Sequence, residues 1–154
     1  MRFGSASKFL TAGALLLGAG IAVAYAATAD EAIKGRQGCM KGHAATMKVM
    51  VPMFKGEAAF DAAAIQTVFA QEAAACADWG KWWGPETAKG ETLETWAKAE
   101  IWSDPKGFEE AGGKWYQAHE AVKASADEAA FKASFPALGE ACKGCHDKFR
   151  RPKE

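Results

Sequence analysis

Apolar residues recur at steps of three and four through most of this chain, and that spacing constrains its fold more than any other feature. Ile33, Met40, Met47 and Met50, with Arg36, Gln37 and His43 between them, form one stripe of a helix over residues 30–51, with Pro52 and Gly56 punctuating its end. A second stripe, Ile65, Val68, Phe69 and Cys76, predicts a helix over 61–77. A loop carrying Trp79, Trp82, Trp83 and several glycines follows, then a short helical piece over 93–99. Ser103-Asp104-Pro105 opens a third long helix through Phe108, Trp115, His119 and Val122, weakened in its middle by Gly112-Gly113. The fourth spans 127–151, with Pro136 inside it expected to kink it or shift its start. The abundance of Ala, Lys and Glu supports helix, and the scarcity of Val, Ile and Thr argues against sheet. Four amphipathic helices with mostly short links predict an all-α, antiparallel four-helix bundle.

The N-terminus does not belong to that bundle. Arg2 and Lys8 precede an apolar run over 9–23, and small residues then offer A-x-A patterns such as Ala24-Tyr25-Ala26. These are the marks of a secretory signal peptide, expected over 1–26 with cleavage after Ala26, leaving a domain over 27–154. The competing reading, a membrane anchor, suits a run this short and glycine-rich less well, and no second run is long enough to span a bilayer. The expectation is a periplasmic protein with no membrane association after signal removal. With 19 basic and 19 acidic residues the net charge is +0, so nothing in the charge favours nucleic acid.

Near the end of the fourth helix stands Cys142-Lys143-Gly144-Cys145-His146, the C-x-x-C-H signature of covalent haem attachment. Two thiols at this spacing add to the two vinyl groups of one porphyrin, and the neighbouring imidazole reaches the iron. A thioredoxin-like pair would call for a strand-containing fold, and a zinc site would need the distant Cys39 and Cys76 as further ligands. The expectation is one haem c per chain, with His146 as proximal iron ligand.

The chain resembles the class II c-type cytochromes, the cytochrome c′ family, over nearly all of its length beyond the leader. The resemblance rests on Asp30-Glu31-Ala32-Ile33-Lys34 with Arg36-Gln37, on Phe60-Asp61, on Ile101-Trp102-Ser103-Asp104, and on the run from Cys142 through Asp147-Lys148-Phe149-Arg150. It implies a four-helix bundle, often dimeric through its first two helices, with the haem between helices near one end. It further implies that Arg36 meets a haem propionate, that Gln37 lies in the haem surroundings, and that Arg150 borders the proximal side. The residue four places after the matched arginine, Met40, then faces the open side of the haem. Met-ligated members are low-spin electron carriers; members with an unbonded side chain there are five-coordinate and bind nitric oxide or carbon monoxide, and some of these also have Met. His43, one turn on, is the rival ligand. Pro136, a second cysteine pair and the Trp79/Trp82/Trp83 cluster depart from the common pattern.

Cys39 and Cys76 stand almost equally far from the hairpin turn near Gly56, so in an antiparallel helix pair they reach the same height. In an oxidising compartment this predicts a disulfide, against the alternative of two separate buried thiols. No paired carboxylates or Ser/His/Asp pattern suggests an enzyme. The leading expectation is a one-electron carrier serving periplasmic redox proteins; the alternative is a haem protein binding nitric oxide or carbon monoxide.

Overall fold

The computed structural model describes residues 27–152, and the leader expected over 1–26 lies outside the described residues. Five helices follow in order: α1 (Ala29–Lys55), α2 (Ala62–Ala75), the single turn α3 (Glu100–Ser103), α4 (Pro105–Lys123) and α5 (Glu128–Phe149). The four long ones form a four-helix bundle. α1 pairs chiefly with α2 and α4 with α5, and narrower α1–α5 and α2–α4 contacts close the bundle.

Each long helix begins where its sequence offers a side-chain cap. Thr28 and Glu31 form a reciprocal capping box at α1. Asp61, Asp104 and Asp127 accept the backbone N–H of Ala64, Gly107 and Ala130, and Pro105 occupies the first turn of α4. Met50, Met53, Ile65, Phe69, Val122, Phe131, Phe135 and Leu138 fill the core.

Three of the differences from the sequence expectation have a visible cause. α1 runs one turn past Pro52 to Lys55. Proline removes one donor, but Met53 beyond it is buried in the core, and Gly56 ends the helix in the left-handed region at φ 75°. Residues 93–99 are not helical. Their backbone pairs with the end of α5 instead: Lys98 N–H donates to Phe149 O at 2.9 Å and Arg151 N–H to Trp96 O at 2.7 Å, around an isolated Ala97–Arg150 bridge. The same pairing draws Arg150 into extended backbone, so α5 stops at Phe149 rather than 151. Pro136 lies on an exposed face of α5, and Gly112-Gly113 on an exposed face of α4; both helices pass through.

The long 79–99 segment is tied down at two places. The Asp30 carboxylate accepts the backbone N–H of Glu91, Thr92 and Leu93 and the Thr92 hydroxyl. Further along, the Trp82 ring lies flush on α1 at Gly35, where an added Cβ would come within 2.3 Å of the ring.

Candidate haem-binding site

The segment so fastened walls off a cavity of about 340 Å³ against α1 and α5. α5 contributes Cys145, His146, Phe149 and Arg150; α1 contributes Ile33, Arg36, Gln37 and Met40. Trp79, Trp83 and Phe108 form an aromatic wall, with ring centroids 4.8 Å (Trp79–Trp83) and 4.7 Å (Trp83–Phe108) apart. Trp79 and Trp83 are thus part of the cavity, whereas Trp82 packs on Gly35.

Cys142 and Cys145 are half-buried and unbonded. Cys145 faces the cavity, while Cys142 borders the bundle core. Burial raises the pKa of both thiols, and the negative charge of Glu72 raises Cys142 further. His146 opens to solvent on one side of the cavity. Desolvation by the protein on its other side, then the charges of Arg150 and His43, lower its pKa and favour the neutral imidazole that a metal requires.

Arg36 is the most constrained polar group here. It is 5% exposed. Its Nη2 donates to Thr87 O at 2.7 Å, and its guanidinium lies 4.8 Å from the centroid of Trp83 and 5.8 Å from that of Trp102. Thr87 is locked in turn, its hydroxyl 2.9 Å from Trp82 O and 2.8 Å from Gly84 O. Nε and Nη1 of Arg36 have no partner. Burial pushes the guanidinium pKa down from its usual value. A buried cation with two idle donors is costly unless an anion meets it, and a carboxylate suits the planar fork.

The other expected haem neighbours are differently engaged. Gln37 Nε2 donates to Glu94 O at 3.1 Å. The Arg150 guanidinium stacks 4.8 Å from the Trp96 ring centroid. Met40 is half-buried and lines the cavity. His43 is not among the cavity-lining residues; its Nδ1 lies 3.2 Å from Glu72 Oε1, and its ring meets Trp115 edge-on at 4.9 Å.

Behind the cavity lies a group that sequence reasoning passed over. Glu72, 5% exposed, receives His43 Nδ1 and His119 Nε2, each at 3.2 Å from Oε1. Burial alone would raise its pKa, but hydrogen bonds from His119 and His43, the charge on His43 and the Thr46 hydroxyl bring it down to about 2. His119, which the sequence places on the third long helix, is therefore part of a buried polar cluster. The signal was available: Glu72 continues the buried series Ile65, Phe69 at a step of three, a charge on an apolar stripe. Cys39 and Cys76 form a disulfide beside this cluster, linking α1 to the end of α2.

These residues fit a covalent haem. Two unbonded thiols stand one turn apart on α5, Cys145 lining the cavity and Cys142 toward the core, an imidazole follows, aromatic side chains wall the space, and a buried guanidinium presents two unpartnered donors of the kind a propionate satisfies.

Comparison with known proteins agrees. The family model described as Cytochrome C′ matches residues 31–150. The cytochrome c′ of Cereibacter sphaeroides is 32% identical over 140 residues, covering 89% of this chain and 94% of that protein. That of Alcaligenes xylosoxydans xylosoxydans is 31% identical over 128 residues, covering 80% and 96%. Among solved structures, cytochrome c′ from Rubrivivax gelatinosus superposes with a TM-score of 0.71 at 32% identity, covering 80% of this chain and 98% of that one. A nitric oxide complex of a mutant cytochrome c prime from Alcaligenes xylosoxidans superposes at 0.69 and 30% identity, covering 82% and 98%.

Proposed function

Because this chain belongs to the cytochrome c′ family, whose members carry covalently bound haem c, we propose that it is a periplasmic one-electron carrier exchanging electrons with redox proteins of that compartment. Cys142 and Cys145 would anchor one haem, and His146 and Met40 would offer its iron an imidazole nitrogen and a thioether sulfur. The bound haem supplies Fe(II)/Fe(III) cycling as the only chemistry. One observation carries this reading: Met40 and His146 line the same cavity, while the rival His43 is not among the residues that line it. Arg36 neutralises a propionate, with Thr87 and the Trp83 and Trp102 rings holding its fork in place. Trp79, Trp83 and Phe108 give the cavity an apolar face, and the polarity around a bound haem would be one lever on its potential.

A second reading has its own support. Variants of one relative, the cytochrome c prime of Alcaligenes xylosoxidans at 30% identity, have been solved with nitric oxide bound, so an open iron that captures nitric oxide or carbon monoxide is the competing function.

Optical spectra of the ferric and ferrous protein, with and without carbon monoxide, separate the two. Electron transfer predicts sharp low-spin ferrous bands that resist carbon monoxide, and Met40→Ala should convert them to a high-spin spectrum that shifts with the gas. A native protein that is already high-spin and binds carbon monoxide would establish the second reading and remove Met40 as a ligand.

A further inference from the structure

We propose that reductive opening of the Cys39–Cys76 disulfide creates a metal-ion site of the zinc class, formed by Cys39, Cys76 and His43. The sulfurs and a ring nitrogen of this trio already lie within 4.8 Å of one another. His43 Nε2 is 3.5 Å from Cys39 Sγ and 4.0 Å from Cys76 Sγ. In a tetrahedral site with Zn–S of ~2.3 Å and Zn–N of ~2.0 Å, neighbouring donor atoms stand ~3.5–3.8 Å apart. The nitrogen–sulfur spacing is therefore close to that of a zinc site, and cleavage of the S–S bond lets the two sulfurs part to nonbonded distance.

The surroundings support a cation as well. His43 Nδ1 faces the buried Glu72 carboxylate at 3.2 Å. A carboxylate behind a histidine fixes the tautomer that leaves Nε2 free, as it does behind many metal-binding histidines. Two thiolates offset the charge of a divalent ion, and Glu72 adds negative charge in the second layer. Cys39 and His43 share one face of α1 at i, i+4. Cys76 is carried on the end of α2. The two helices are held close by more than the disulfide: at Gly42 an added Cβ would lie 3.3 Å from the Ala75 Cβ. His43 is 20% exposed and Cys76 half-buried, so an ion reaches the trio from solvent, with Cys39 buried behind it. Three protein ligands leave the fourth position to water.

The chemistry balances with a dithiol reductant. The dithiol becomes a disulfide as Cys39 and Cys76 become thiols, and the divalent ion then displaces two protons, which pass to solvent. Cys142 and Cys145 do not compete in the haem-loaded protein, because thioether bonds occupy both sulfurs.

The test uses the full haem-bearing protein, oxidised or reduced with a phosphine, incubated with zinc sulfate and freed of excess. Native mass spectrometry and elemental analysis should find one zinc per chain after reduction and none before. The reduced Cys39→Ser/Cys76→Ser double variant should retain none. Glu72→Gln should weaken binding 10- to 100-fold against a competing chelator, and His43→Gln more. Equal zinc in the oxidised and reduced protein, or zinc kept by the double serine variant, would overturn the proposal. So would a reduced native protein that binds none, whether or not its helical circular dichroism survives, since the trio is required to stay assembled.

Discussion

Neutralising Glu72 should cost this protein much of its stability at neutral pH and almost nothing in strong acid. The carboxylate is 5% exposed and meets two imidazoles at 3.2 Å. Its pKa, held at about 2 against an ordinary 4.5, corresponds to about 3 kcal/mol of favourable interaction in the folded chain. Because the folded value is depressed, that contribution is fully present above pH 4.5 and is lost as pH falls toward 2. Glu72→Gln keeps the shape and one acceptor but removes the charge. Its destabilisation should therefore be about 3 kcal/mol at pH 7, in the range for breaking a buried charge pair, and should shrink toward zero near pH 2. Denaturant unfolding of both proteins, followed by far-ultraviolet circular dichroism between pH 7 and 2.5, measures the difference directly. A cost below 1 kcal/mol at pH 7, or one that stays constant across the range, would refute the assignment of Glu72 as the ionised hub of the cluster.

Replacing Cys39 and Cys76 with serine opens a loop of 37 residues, which by chain entropy should cost about 4 kcal/mol in denaturant unfolding; a loss under 1 kcal/mol would count against that account. Gly35→Ala drives a methyl into the Trp82 ring, 2.3 Å from its nearest atom. The clash should cost about 1–3 kcal/mol and exceed the helix-propensity gain of about 1 kcal/mol, lowering Tm; a higher Tm would show that the ring moves aside freely. Asp30→Asn should speed amide hydrogen exchange at Glu91, Thr92 and Leu93, and unchanged exchange would show that the tether is dispensable. The Thr92 hydroxyl is the largest influence on the Asp30 carboxyl; against desolvation, which comes next and opposes it, the hydroxyl and the backbone amides of Leu93, Thr92 and Glu91 together hold its pKa below the ordinary 3.8. In the native protein the tether should therefore be fully formed above that pH and fail as pH drops below it.

The apolar stripes, the Asp104 cap before Pro105 and the Cys142–His146 motif could all be read from sequence, because each is a local pattern. A helix's period, a side chain reaching the N–H three residues on, and two thiols that must span one porphyrin are settled within a turn or two of chain. Where local signals competed with distant partners, tertiary structure decided. Residues 93–99 looked helical but gave their backbone to the end of α5, and Pro52 looked like a stop but was carried through by the burial of Met53. Arg36 could be placed on a helix face, yet its fixing by Thr87, Trp83 and Trp102 depends on residues more than 45 positions away. The meeting of Glu72 with His43 and His119 was decided in the same way: Glu72 stood out as a charge on an apolar stripe, but residues on three helices become one buried polar cluster only when the bundle closes and removes them from water. Sequence alone determined the four long helices and the C-x-x-C-H motif; only the packed bundle decided which polar groups share the dry interior, because the cost of desolvating a charge does not exist until its neighbours arrive.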